Sequence, residues 1–388
     1  MSVTAAQGFR ASGVAAGLKS SGTPDVALVV NDGPSSTAAA VFTGNRCKAN
    51  PVIWSQEAIK SGSARAVAIN SGGANCYTGP EGFSVTHATA ELVAGSLGIG
   101  PIDVQVCSTG LIGLLNDRED LLAGMSRAFD DLSAEGGLSA AEAIMTTDSV
   151  PKQAVRQGVG VSGGGYTVGG MAKGAGMLAP ALATMLVVIT TDAELEPDQA
   201  EAALRAATRT TFDRLDSDGC QSTNDTVLLM ASGASGERPE PDAFAESLRE
   251  VCLDLALQLL ADAEGSDHEI TIDVVNAASE DDAVEVGRSI ARSNLFKCAV
   301  FGKDPNWGRV LASVGTTDAA FDPTDLDVAL NDVWVCRNSG PGEPPTAVSL
   351  EERAVTVTVD LKAGDAHASI WTNDLTHAYV HENSAYST

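Results

Sequence analysis

Short apolar runs alternate with segments of helical periodicity along almost the whole sequence. That alternation restricts the chain to layered α/β or mixed α+β architecture. Residues 26–30, 38–42 and 66–69 read as strands, each closing in polar or Gly-rich turns. Residues 84–97 read as a helix, 102–107 as a strand and 117–132 as another helix. Ser139-Ala140-Ala141-Glu142 has the form of a capping box, which would start a short helix and deliver Met145-Thr146-Thr147-Asp148 at its far end. Residues 158–170 form a loop and strand region, 185–190 a buried strand, and Pro197 opens a helix to about Arg209. A strand follows at 226–230. Phe244, Leu248, Val251, Leu255 and Leu259 then fall at helical spacing, in a helix ending near Ala263-Glu264. Residues 270–275, 355–361 and 366–371 complete the expected strands, with a helix starting at Ser279-x-x-Asp282.

At 388 residues the chain suffices for two or three domains or lobes. A net charge of −27 argues against nucleic acid, whose phosphates need Lys and Arg patches, and disfavours anionic membranes. No apolar run approaches the length of a membrane span, and the first residues lack the pattern of a signal peptide. Seven scattered cysteines without a Cys-x-x-Cys fit reduced thiols in a cytoplasm. The five histidines offer no metal-ligand spacing, so no metal is expected.

Near the middle, a Gly-rich segment with one lysine, Gly169-Gly170-Met171-Ala172-Lys173-Gly174-Ala175-Gly176, leads through Ala183-Thr184 into the apolar run from Met185. A threonine at the start of a strand is ordinarily just a β-branched residue suited to the pleat. Were the chain to break between Ala183 and Thr184, however, Thr184 would carry its own base. A free α-amino group titrates at about 7.7–8.0 and can accept the hydroxyl proton near neutral pH. Four other stretches concentrate Gly, Thr, Asn and Asp: residues 70–75, 108–113, 222–226 and 304–309. The second could stabilise an oxyanion. In the last, Trp307 suits packing and Arg309 could pair with a carboxylate. Each alone reads first as a turn.

Together these residues carry a resemblance. Lys173-Gly174-x-Gly176-Met177-x-x-Pro180-x-x-Ala183-Thr184-Met185 resembles the self-cleavage segment of the glutamate N-acetyltransferases of arginine biosynthesis, also called ornithine acetyltransferases. Ser108-Thr109-Gly110-x-Ile112-Gly113, Ala143-Ile144-Met145-Thr146-Thr147-Asp148 and Ser222-Thr223-Asn224-Asp225-Thr226 match in order. So do Ala261-Asp262-Ala263-Glu264-Gly265, Gly302-x-Asp304-Pro305-Asn306-Trp307-Gly308-Arg309 and Glu382-Asn383-Ser384-Ala385-Tyr386, and the likeness spans essentially the whole chain.

The resemblance implies a layered α/β/β/α sandwich of two lobes, self-processed into an N-terminal α chain (1–183) and a C-terminal β chain (184–388). These would stay associated as α2β2. It implies cleavage at Ala183-Thr184, Thr184 as nucleophile, and Thr109 and Gly110 as the oxyanion hole. Thr146, Lys173, Thr184, Glu264, Asn383 and Thr388 match substrate-binding positions. The implied reaction is ping-pong transfer of acetyl from N2-acetylornithine to glutamate through acetyl-Thr184, with no cofactor. Acetyl-CoA stays open as a further donor, since no nucleotide-binding motif decides the matter.

One departure stands out. Where family members commonly carry a small residue, a threonine and a lysine after Glu264-Gly265, this chain has Ser266-Asp267-His268, which could change the pocket's charge or packing. Two other readings compete. A self-processing amidohydrolase or aminopeptidase would use water in place of glutamate. A non-enzymatic amino-acid-binding protein would have no need of both Ala183-Thr184 and Thr109-Gly110.

Overall fold

Strands buried on both faces read as continuous apolar runs, because neither set of alternating side chains meets water. The computed structural model describes residues 2–176 and 185–385. Its first sheet has the order β1 (Phe9–Val14), β2 (Val26–Asn31), β4 (Ala66–Asn70), β5 (Val104–Ser108). The second runs β3 (Thr37–Phe42), β9 (Thr226–Ala231), β8 (Leu186–Thr191), β7 (Gly165–Lys173), β6 (Lys152–Val159). The two are stacked. Leu186 and Val188 of β8 point inward with Met171, Leu228 and Met230, against Ala27, Val29, Val67 and Ile69 of the first sheet. Helix α4 (Gly137–Ala143) closes one end of that interior.

The alternate residues face outward into two further layers. Leu28, Ala68 and Val106 pack on α2 (Gly79–Leu97) and α3 (Arg118–Asp130), with Trp54 of α1 (Asn50–Ala58) at the margin. Val187, Ile189, Val227 and Leu229 pack on α5 (Pro197–Arg209) and α6 (Pro241–Ala261). The expected α/β/β/α sandwich is thus present as the first lobe. Leu248, Leu255 and Leu259 of α6 are fully buried there, each contributing about 2 kcal/mol by apolar area.

The second lobe has a single six-stranded sheet. Its order is β13 (Gly340–Pro341), β12 (Val333–Arg337), β11 (Asp327–Leu330), β14 (Ala354–Asp360), β10 (Glu269–Ala277), β15 (Ala366–Asn373). Helices α7 (Glu280–Ala291), α8 (Asn294–Phe301) and α9 (Trp307–Val314) share its core through Val286, Ile290, Phe296 and Val310. The lobes join where Asp216 N–H donates to the Trp371 carbonyl at 2.8 Å. Helix α10 (His377–Ala385) then returns to the first lobe.

Several local expectations are corrected. Ser139 lies inside α4 and donates to the Gly136 carbonyl at 2.9 Å, so it caps nothing, although the helix does deliver residues 145–148. Helix α2 begins five residues before the expected start, with Pro80 in its first turn, where a missing N–H does no harm. Residues 101–103 form a 3-10 turn ahead of β5. The stretch 304–309 is a helix start: Asn306 accepts the Arg309 N–H at 3.3 Å and caps α9. Strands β1, β6 and β11–β13 and helices α1, α8, α9 and α10 have no counterpart in the sequence reading. The two lobes divide near residue 265, whereas the Ala183–Thr184 junction falls between two neighbouring strands of the second sheet, β7 and β8.

Candidate active site

Seven segments meet at one cavity of about 110 Å³ in the first lobe. Its lining includes Thr109, Gly110, Thr146, Lys173, Glu264 and Asn383, every candidate residue that falls within the described part of the chain. Ala183, Thr184 and Thr388 lie outside the described residues. Ala74, Ile112, Thr147, Gly176, Ser222, Thr223 and Asn224 complete the wall. A larger groove of about 340 Å³ between α5 and α6 is lined by Leu195, Ala203 and Phe244 among others, and holds none of the candidates.

Parallel β4 and β5 end together, and their following loops stack. Thr109 N–H donates to the Asn70 carbonyl at 2.9 Å and Ala74 N–H to the Leu111 carbonyl at 3.1 Å. Asn70 donates to Ser108 Oγ at 2.7 Å, and Asn116 donates to Asn70 Oδ1 at 2.9 Å. Gly110 has φ +122°, and a Cβ there would meet Gly73 Cα at 3.0 Å, so the closeness of the two loops requires glycine. From the second sheet, Asn224 donates to the carbonyls of Ala74 (2.6 Å) and Ser108 (2.8 Å). The two sheets are thereby locked together at the pocket floor.

Lys173 ends β7 buried, with its ammonium 3.2 Å from Thr109 Oγ1. Burial pushes its pKa below the ordinary lysine range. The carboxylates of Asp148, Asp225 and Glu264 oppose that fall, while Lys152 adds to it. Glu264 follows α6, its N–H donating to the Ala175 carbonyl at 2.9 Å and its Oε2 accepting from Asn383 at 3.1 Å. A Cβ on Gly176 would come within 2.7 Å of the Glu264 carboxylate, so a side chain there would push that carboxylate from its present position. A buried cation and a carboxylate thus face one small polar cavity. That is the charge pattern to hold a carboxylate at one end of a substrate and an amine at the other.

Asp225 is buried beside the first described residue after the junction, and its Oδ1 accepts the Met185 N–H at 3.0 Å. Burial raises its carboxyl well above the usual range, and Oδ2 has no hydrogen-bond partner among the described residues. Sequence reasoning gave Asp225 and Asn224 no individual roles. Their signal was a run of polar residues directly before an apolar strand.

The Ser266-Asp267-His268 departure does not reach the cavity. His268 is buried with Nδ1 at 2.7 Å from Asp374 Oδ2 and Nε2 at 3.2 Å from the Leu350 carbonyl. Asp374 Oδ1 accepts the N–H groups of Asp267 and His268, both at 3.0 Å. These residues anchor the start of β10 to the turn before α10. The 304–309 stretch is equally remote: Trp307 packs on the second-lobe core, and Arg309 donates to the Leu295 carbonyl at 2.6 Å.

The chain was compared with known proteins. The ArgJ family model matches residues 10–388. The arginine biosynthesis bifunctional protein ArgJ of Streptomyces coelicolor is 63% identical over 387 residues, covering 100% of both chains. That of Thermobifida fusca is 61% identical over 388 residues, again with 100% of both covered. Among solved structures, ornithine acetyltransferase of Mycobacterium tuberculosis complexed with ornithine is 52% identical, with TM-score 0.43, over 46% of this chain and 94% of that one. ArgJ of Bacillus halodurans is 34% identical, with TM-score 0.48, over 51% of this chain and 97% of that one. Every described wall of the cavity falls inside the matched region, and the chain belongs to the ArgJ family of arginine-biosynthesis acyltransferases.

Proposed function

We propose that this enzyme transfers the acetyl group of N2-acetylornithine to glutamate through an acetyl ester on Thr184, after the chain cuts itself between Ala183 and Thr184. The observation that supports this most is the convergence of Thr109, Gly110, Thr146, Lys173, Glu264 and Asn383 on one cavity from segments far apart in sequence. Of the described ends of the connection carrying residue 184, one lines the cavity and the other pairs with the strand that ends there. Gly176 lines the cavity, and Leu186 pairs with Lys173 across the β7–β8 ladder.

In this reading the Thr184 hydroxyl attacks the carbonyl carbon of Ala183, and the peptide C–N bond breaks to leave an ester and a free α-amino group. Water hydrolyses that ester, releasing Ala183 as a carboxylate and restoring the Thr184 hydroxyl. That amine takes the hydroxyl proton as Thr184 attacks the acetyl carbon of N-acetylornithine. Thr109 and Gly110 stabilise the tetrahedral oxyanion. Ornithine leaves with the proton, and the amine of glutamate then displaces the Thr184 oxygen to give N-acetylglutamate. Lys173 holds the substrate α-carboxylate, Glu264 and Asn383 the amine-bearing end, with Thr146 and Thr388 completing the site. Amide passes to ester and back, so the cycle runs without a metal or cofactor, and acetyl-CoA is a candidate second donor. The two pieces stay together as α2β2 in the cytoplasm. The second sheet draws β3, β6 and β7 from one piece and β8 and β9 from the other.

Intact mass and N-terminal sequencing beside a Thr184→Ala variant test the cut. Two fragments, the second starting Thr184-Met185-Leu186, with the variant whole, are expected; a single wild-type chain rejects the mechanism. Product analysis with and without glutamate tests the transfer. Acetate release at the same rate in both would make the enzyme an amidohydrolase. Acetyl-CoA in place of N-acetylornithine tests the second donor.

A further inference from the structure

Three walls of the cavity are tied together behind it by one buried chain of ions. Asp148 Oδ2 accepts the Thr146 N–H at 2.9 Å. Its Oδ1 accepts the Gly174 N–H and the Lys152 ammonium, each at 2.6 Å. The same ammonium reaches Asp262 Oδ2 at 2.6 Å, and that oxygen also accepts the Ser149 N–H at 2.9 Å. Asp262 stands at the end of α6, two residues before Glu264. The Asp148 and Lys152 side chains have no solvent exposure, and neither residue lines the cavity.

We propose that Asp148 and Lys152 are positioning residues for substrate binding: the pair fixes the Thr146, Lys173 and Glu264 walls, and its opposite charges balance the field at the buried Lys173 ammonium. The inference deepens the proposed function and rests on its assignment of Lys173 to the substrate carboxylate. A buried ion pair contributes little net stability against an apolar replacement. A fixed field at a neighbouring charge is something that an apolar replacement could not supply.

The groups facing Lys173 come from every side. Asp148 approaches from the loop after α4 and Lys152 from β6. Asp225 precedes β9, Glu264 follows α6, and Lys19 lies ahead of β2. Burial lowers the pKa of Lys173; Asp148, the first of the charges acting on it, raises it, and Lys152 lowers it. Deleting the two therefore has opposite consequences. Without Asp148 the ammonium loses its proton at lower pH, and without Lys152 it keeps the proton to higher pH.

The test is the pH dependence of KM for glutamate in the acetyl-transfer assay. Lys173→Gln comes first, and an unchanged KM there rejects the assignment of Lys173 itself. With that assignment standing, Asp148→Asn moves the alkaline rise of KM to lower pH. It raises KM about tenfold on the alkaline side, with kcat nearly unchanged. Lys152→Met moves the rise to higher pH. The double variant Asp148→Asn/Lys152→Met removes one charge of each sign, guards against a single variant that does not fold, and returns the rise to near its wild-type position. Displacement of both single variants in the same direction overturns the inference. So does a double variant no nearer to wild type than either single one.

Discussion

The same residue types meet different fates in the two lobes. In the first, Asn224 before β9 is buried and bonds across two sheets, and Asn70 at the end of β4 is buried and ties the ends of β4 and β5. In the second, Asn306 in a comparably polar stretch caps a helix and bonds only to its own neighbourhood. The difference lies in the layers around them. Two stacked sheets whose strands end together enclose a polar space that only side chains and loop amides can fill. A single sheet with helices leaves its polar turns to water. Gly, Asn and Asp therefore mark a site where strand ends from two sheets converge, and a turn elsewhere.

That contrast can be broken by substitution. The largest effect is expected from Lys173→Met, which removes the cation of the first-lobe cavity. It should lower kcat/KM for acetyl transfer by roughly a hundredfold or more while the fold persists. Steady-state kinetics beside circular dichroism read both. Asn224→Ala leaves the Ala74 and Ser108 carbonyls without their shared donor. Denaturant unfolding should show a loss of about 2–4 kcal/mol, and kcat should fall as the loop bearing Thr109 loses its tether.

The second lobe supplies the control. Lys297 is buried there, its ammonium donating to the Ser217 carbonyl, and burial lowers its pKa to about 8. The unfolded chain keeps that proton to about 10.4. Between these values the unfolded state binds more protons, so stability rises with pH. Relative to Lys297→Met, the wild type should gain up to about 3 kcal/mol from pH 8 to about 10.4. A flat difference rejects the buried-ammonium account. Smallest is Asn306→Ala, where loss of the cap should remove about 1 kcal/mol. Activity should be unchanged; a matching fall in kcat would erase the distinction between the lobes.

What was legible in the sequence follows the same physics. Strands β2, β4, β8 and β9 are buried throughout and read as apolar runs. The periodic residues of α6 face one core and read as a helix. By contrast β1, with Arg10 and Ser12 among small residues, shows no clear period, and β13 spans only two residues. Ser139 and Glu142 fit a capping pattern, but the chain had already turned at Gly137. In the cavity, Lys173 and Glu264 could be found only through resemblance, since a lone lysine or glutamate usually signals a solvated surface, whereas the stretch bearing Thr109 already read as able to stabilise an oxyanion. The bonds from Lys152 to Asp262 and from Asn224 to Ala74 span 110 and 150 residues, and no local pattern announces them.

The strand order β3-β9-β8-β7-β6 has one more consequence. A cut between residues 183 and 184 would leave two seams in that sheet, β3 against β9 and β7 against β8, each joining one piece to the other. Before the cut, unfolding is an event of a single molecule. Afterwards the unfolded pieces diffuse apart, and recovery depends on their meeting again, so the apparent melting temperature acquires a concentration dependence. Denatured mature protein at high dilution would refold slowly or fail to, while an uncut Thr184→Ala chain would recover at any dilution. With such a cut, the interleaved sheet would make folding a step to be completed before maturation, and maturation a point after which the covalent memory of the fold is lost.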